Sequence, residues 1–206
     1  LYARIPQGGK QPNTRTLLEK EEACLTSIRY LAAYYFCYFA AVGVFEPYLT
    51  PFWRGTGFTA AQIGLLNSIM PAVGVFGPFL WTAYADATRK GDCIFVRNTW
   101  ISALVALLIP NVDRFVVVAG VILGFALFRA PLISLANSMA FRALADRREA
   151  FAGVRLWGTV GYILAAVGSG VAVDRLGLWA GMHGIALTMI VCGLVGWLGR
   201  SRTRVI

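Results

Sequence analysis

Long apolar runs separated by charged residues dominate the chain. A helix needs about 20 mostly apolar residues to cross the hydrocarbon core of a membrane, and six runs approach that length. They are Arg29 to Arg54, Gly55 to Ala85, Cys93 to Pro110, Phe115 to Phe141, Leu156 to Val173 and Leu176 to Gly199. The third is the weakest, because it reaches a spanning length only if Arg97 extends its side chain to the membrane surface. The pattern predicts an all-α, polytopic membrane protein with six spans.

Composition agrees with this interpretation and excludes other classes of protein. Hydrophobic residues make up 58% of the 206 residues and charged residues 14%, and the mean hydropathy is +0.64. The net charge of +9 does not indicate nucleic-acid binding, because the basic residues are dispersed between apolar runs rather than gathered in a patch. The four cysteines and single histidine lack paired or metal-ligand spacing, so no disulfide framework, metal site or cofactor is implied.

The two ends of the chain are polar. Residues 1–27 are predicted to form a cytosolic tail, since they lack the apolar core of a secretory signal. The chain begins with Leu1 rather than methionine, which leaves open whether a leader has been removed or the sequence is a fragment. Residues 28–199 form the predicted six-helix domain, and residues 200–206 are expected to begin a basic cytosolic linker.

Charges between the spans predict the topology, because short cytoplasmic loops carry an excess of lysine and arginine. One side of the predicted membrane would hold three cations, Arg54, Arg114 and Arg175. The other side would hold Arg4, Lys10, Arg15, Lys20, Arg29, Arg89, Lys90, Arg97, Arg142, Arg147, Arg148, Arg155, Arg200, Arg202 and Arg204. This asymmetry places both termini in the cytosol and requires an even number of spans, which supports the weak third helix.

Two spans carry an ionisable residue in matching contexts. Span one contains "GVFEPYLTP" with Glu46, and span four contains "ALFRAPLIS" with Arg129; each has an aromatic residue, an ionisable residue and a nearby proline. Spans one and four lie three apart and run in opposite directions, so the match predicts a 3+3 inverted repeat of the kind that builds central sites in secondary transporters. A charge at mid-membrane normally faces a partner or water, and we therefore predict that Arg129 faces a central cavity and is compensated by Glu46.

Longer stretches resemble the major facilitator superfamily. They are "AAVGVFEPYLTPFWRGTGFTAAQIGLL", "PFLWTAYADATRKGD", "FRAPLISLANSMA" and, most specifically, "VRLWGTVGYI". The resemblance is strongest to the branch of phenylpropionate permeases, galactoside permeases and nucleoside-proton symporters. It implies twelve spans in two six-helix halves around a cavity, of which this chain resembles the amino-terminal half, with a second half in the same full-length chain or in another copy.

The resemblance also implies roles for particular residues. The loop after span two resembles the family pattern GxxxDRxGRR, which latches the cytoplasmic face during alternating access. Asp86 matches its aspartate, Ala87 replaces the following arginine, and Arg89 and Lys90 keep the charge while the glycine moves to Gly91. Arg155 in "RLWG" is a second gating candidate, with interfacial anchoring as its alternative. Asn137 is a substrate or coupling candidate, where relatives often have aspartate.

Two other classes of protein compete with a transporter. An intramembrane serine protease would use Ser169 and His183, but Val167 stands where its GxSG turn needs glycine, so we expect no enzyme. A structural or assembly protein remains the alternative, because a transporter half can bind partners without moving a solute.

We therefore predict a permease, a proton-coupled symporter or facilitative carrier, for a small organic solute. The expected contacts are membrane lipids, the solute and a second six-helix half. Arg129 favours a carboxylate-bearing solute, whereas an Arg129 neutralised by Glu46 suits a sugar or nucleoside equally, and the sequence leaves both open.

Overall fold

The computed structural model describes residues 14–144 and 150–203, and these form helices joined by short connections. The helices are α1 (Thr14–Gly55), α2 (Ala60–Thr88), α3 (Gly91–Ala106), α4 (Phe115–Ala143), α5 (Ala150–Leu176) and α6 (Leu178–Thr203), with a 3₁₀ turn at Ile109–Asn111 between α3 and α4. Each of the six predicted spans falls on one of them, and all six are long and apolar enough to cross a membrane once the 3₁₀ turn is counted with α3. Helix α1 begins inside the predicted polar tail, while residues 1–13 and 204–206 lie outside the described residues.

Short polar signals define the connections. Thr59 caps α2, accepting a hydrogen bond from the backbone N–H of Gln62, whose side chain accepts one from the backbone N–H of Thr59. Between α5 and α6 the sequence places the turn at Asp174 and Arg175, but α5 continues to Leu176 and the chain reverses at Gly177. Gly177 has φ +82°, a left-handed conformation that glycine adopts without steric cost.

The helix contacts follow the predicted inverted repeat. Helix α1 packs mainly against α5 and α6, helix α4 packs mainly against α2 and α3, and α3 packs against α6. When α1 is exchanged with α4, α2 with α5 and α3 with α6, the contacts of α1 with α5 and α6 become the contacts of α4 with α2 and α3. The contact between α3 and α6 stays the same. The fold is thus a 3+3 arrangement, with α1 and α4 in equivalent places and in little contact with each other.

Glycines bring α1 and α5 unusually close together. A Cβ atom on Gly161 would overlap the backbone carbonyl of Phe36, and one on Gly158 would lie 2.6 Å from the ring of Phe39. From the other side, a Cβ on Gly43 would lie 2.5 Å from the backbone oxygen of Tyr162. Small residues permit such close approach between helices in membranes, and this contact fixes the position of α1 against α5.

We expect Gly161→Ala to destabilise the protein. The new methyl group meets backbone rather than a movable side-chain end, so α1 and α5 must separate, at a cost of about 1–3 kcal/mol. A Cβ atom on Gly120 of α4 would point into open space, with no neighbouring group within 4 Å, which makes Gly120→Ala the control. The midpoint of thermal unfolding should fall for Gly161→Ala and stay constant or rise for Gly120→Ala; equal midpoints would contradict the close contact.

Candidate functional site

A cavity of about 500 Å³ opens between α1, α2 and α4. Its volume is within the range of small-molecule sites. Helix α1 contributes Phe45, Glu46, Leu49 and Thr50; α2 contributes Leu66, Asn67, Met70 and Pro71; and α4 contributes Arg129. The structure therefore brings Glu46 and Arg129, the ionisable residues of the two matching segments, to the same cavity.

Arg129 is half-buried and rests against aromatic rings. Its guanidinium carbon lies 5.3 Å from the ring centre of Tyr38 on α1 and 6.0 Å from that of Phe125 on α4. Phe125 in turn contacts Phe45, with ring centres 5.3 Å apart. Ring faces attract a cation at these distances, so they stabilise the charge while the guanidinium still reaches the cavity.

Glu46 is exposed on the cavity wall. Within the described part of the chain, Glu46 and Arg129 form no direct ion pair, although both line the cavity. Charge compensation across this space, directly in another state or through a bridging water, stays a prediction.

An amide and a hydroxyl add polar groups beside the two charges. The side-chain nitrogen of Asn67 on α2 donates to the hydroxyl oxygen of Thr50 on α1, at 3.0 Å. Sequence reasoning did not select Asn67, although an asparagine within an apolar span is a usable signal. With Glu46 and Arg129, the cavity presents a carboxylate, a guanidinium, an amide and a hydroxyl above an apolar lining.

Asn137 does not line this cavity and lies eight residues along α4 from Arg129, about 12 Å at 1.5 Å per residue. Its side-chain oxygen accepts a hydrogen bond from the hydroxyl of Tyr35 on α1. The Tyr35 ring is buried and meets Phe151 of α5 edge-on. The bond links α1 to α4 beyond the cavity, towards the end of α4 that carries Arg142, and Tyr35 was not predicted from the sequence.

The predicted gating residues separate into two places. Asp86, Arg89 and Lys90 line a second cavity of about 470 Å³ at the α2–α3 connection, together with Ala85, Gly91, Asp92, Cys93, Leu135, Ser138 and Arg142. Arg142, in the last turn of α4, forms an ion pair of 3.3 Å with Asp92, in the first turn of α3. Arg155 instead lies on α5, with its guanidinium carbon 6.0 Å from the ring centre of Phe151.

Arg89 has a backbone conformation that favours glycine. It follows α2 with φ +52° and ψ +28°, and its N–H bonds to the backbone oxygen of Asp86. In the family pattern GxxxDRxGRR, glycine stands at the position of Arg89. The backbone here is left-handed although the sequence lacks glycine, the residue best suited to this conformation.

We expect Arg89→Gly to be more stable than Arg89→Ala. Both variants remove the cation, but only glycine removes the steric penalty of the left-handed conformation, which is about 1–2 kcal/mol. The midpoint of thermal unfolding should therefore be higher for Arg89→Gly. Equal midpoints would show that the turn at Arg89 is not strained.

The two residues considered for a protease bond to their own helices. The hydroxyl of Ser169 donates to the backbone oxygen of Ala166, and Nδ1 of His183 lies 2.9 Å from the backbone oxygen of Trp179. Ser169 is buried and His183 is exposed. This geometry provides no serine–histidine pair.

The fold and the sequence together define the class of protein. The sequence model of the MFS_1 like family matches residues 28–198, and the chain belongs to this family of the major facilitator superfamily. It is accordingly an integral, multi-pass membrane protein.

Individual relatives are transporters. The chain is 29% identical over 184 residues to a probable 3-phenylpropionic acid transporter of Escherichia coli, covering 84% of this chain and 45% of the relative. It is 25% identical over 160 residues to a maltose permease of Geobacillus stearothermophilus, covering 76% and 40%. The crystal structure of the nucleoside transporter NupG superposes with a TM-score of 0.76 at 22% identity, covering 84% of this chain and 44% of NupG. The chain thus spans less than half the length of these proteins.

Proposed function

We propose that the protein is the amino-terminal half of a secondary active transporter that carries a small organic solute by alternating access. The observation that carries this proposal is the position of Glu46 and Arg129 on one cavity, contributed by the repeat-related helices α1 and α4. Charged residues within membrane spans are costly and commonly mark a substrate or ion pathway. Family membership and the transporter relatives support the same function.

The cavity chemistry fits a solute with several polar groups. Arg129 offers donors to a carboxylate or hydroxyl, Glu46 accepts from hydroxyl or amine groups, and Asn67 can do both. The apolar lining beside them fits a carbon skeleton. We keep the proposal at a small organic solute, because the relatives are named for an aromatic acid, a sugar and nucleosides.

We further propose that transport is coupled to protons, with Glu46 as the proton-carrying group. Glu46 lines the cavity, and acidic residues form proton relays in pumps and transporters. Movement of α1 relative to α4, or solute binding between Glu46 and Arg129, would change the surroundings of this carboxylate.

The second half of the transporter would cover α2 and α5. These two repeat-related helices expose large apolar side chains, including Phe76, Phe79 and Leu80 on α2 and Leu164 and Val167 on α5. We propose that a second six-helix half packs here, that lipid covers the remaining apolar surface, and that both termini are cytosolic.

Solute-dependent stability tests the proposed function. Aromatic acids, sugars and nucleosides should be screened for a rise in the unfolding midpoint of the purified full-length protein, because a ligand stabilises the state that it binds. A true solute should lose its effect in Arg129→Ala and keep it in Arg97→Ala, whose arginine stacks on Trp81 away from the cavity lining. A midpoint rise of equal size in both variants would remove the cavity as the site.

A further inference from the structure

The cavity at the α2–α3 connection carries a net positive charge. Arg89, Lys90 and Arg142 line it together with the carboxylates of Asp86 and Asp92, so three cations against two carboxylates leave one positive charge. The ion pair between Arg142 and Asp92 uses one nitrogen of the Arg142 guanidinium, whereas a guanidinium has five N–H donors. Donors therefore remain for an anion in the cavity.

The cavity at the α2–α3 connection lies at the depth in the membrane where lipid headgroups lie. Arg89 and Lys90 connect two membrane-spanning helices, which places the cavity at the boundary between hydrocarbon and water. Beside its charged groups the cavity is lined by Ala85, Cys93 and Leu135. Apolar surface therefore lies next to the cationic side chains.

We propose that this cavity binds the phosphodiester of an anionic phospholipid. A phosphodiester with one net negative charge balances the single excess positive charge, whereas a zwitterionic headgroup leaves the excess uncompensated. Arginine and lysine are the side chains best suited to phosphate oxygens, and basic residues at the membrane surface attract anionic lipids. This inference does not depend on the transported solute.

The volume of about 470 Å³ is sufficient for a polar headgroup, being within the range of pockets that bind small molecules. Free phosphate shares the same chemistry, so the test must separate the two sources. Lipid retention should be measured by native mass spectrometry of the full chain from nanodiscs that contain phosphatidylglycerol and phosphatidylcholine, with and without inorganic phosphate.

We expect the wild-type protein to retain phosphatidylglycerol in preference to phosphatidylcholine. The double variant Arg89→Gln/Lys90→Gln leaves the Arg142–Asp92 ion pair in place and should weaken retention about fivefold for each cation removed, from the usual contribution of one basic residue near an anionic membrane surface. Asp86→Asn removes a negative charge from the same cavity and should strengthen retention.

The matched control is Arg54→Gln/Arg175→Gln, which removes two exposed arginines away from this cavity and should leave retention unchanged. Unfolding midpoints in phosphatidylcholine alone establish that each variant folds. Equal retention of the two lipids, equal loss in the control, or wild-type retention by the folded double variant would overturn the proposal. Displacement of phosphatidylglycerol by inorganic phosphate would assign the cavity to free phosphate and overturn the lipid assignment.

Discussion

Arg129→Ala in the full-length transporter should reduce solute uptake to the background of empty vesicles. The substitution removes the guanidinium that rests on Tyr38 and Phe125 and faces the cavity, and it leaves the Glu46 carboxylate without its predicted counter-charge. An uncompensated charge at mid-membrane costs at least about 2.5 kcal/mol on insertion scales. Uptake by reconstituted protein, normalised to membrane abundance, is the measurement.

The control is a second arginine on an aromatic ring. The guanidinium carbon of Arg97 lies 5.5 Å from the ring centre of Trp81, but Arg97 does not line the cavity. Arg97→Ala should therefore retain uptake. Wild-type uptake by Arg129→Ala at normal abundance would exclude this residue from the mechanism.

Exchange of the two charges separates folding from transport. Glu46→Gln should impair uptake, and Glu46→Arg combined with Arg129→Glu should restore the abundance and unfolding midpoint lost in the single charge reversals, even without turnover. Failure of the exchanged pair to recover stability relative to Arg129→Glu alone would argue against charge compensation between Glu46 and Arg129.

Hydropathy predicted the six spans, and the two short charged segments, together with the family resemblance, predicted the inverted repeat. Neither prediction requires the directions of side chains, because the spans depend on the length of an apolar run and the repeat depends on the order of residues along it. The exchange symmetry of the helix contacts then follows, since equivalent segments fold alike.

The direction of each side chain was harder to predict. A span that is apolar on all sides carries no polar face to fix its rotation about its own axis, so the sequence did not show that Asn67 meets Thr50 or that Tyr35 meets Asn137. Arg129 and Glu46 were identified because a charge in a membrane must face a partner or water. Asn67, Thr50 and Tyr35 are uncharged, so they are under weaker constraint and were missed.

The positions of turns were also difficult to predict from the sequence. Charged residues mark where a helix can leave the membrane, and the sequence therefore predicts the turn at Asp174 and Arg175. The backbone instead reverses at Gly177, where a left-handed residue ends α5. Conversely, Arg89 is left-handed without being glycine, so residue type alone did not identify this turn.

Alone in a bilayer, the 206-residue chain should give no uptake above empty vesicles while it remains monomeric. The cavity of α1, α2 and α4 has walls from one bundle only, and α2 and α5 expose the apolar faces that we assign to a second half. Without that half, Glu46, which is exposed on the cavity, would face lipid, an unfavourable environment for a charge. The chain should then either associate with another six-helix bundle or remain inactive.

Counting subunits by single-molecule photobleaching in the same vesicles used for uptake distinguishes the two states. Uptake confined to vesicles with two copies would support the proposed second half, whereas robust uptake by vesicles with a single copy would show that six helices suffice and contradict it.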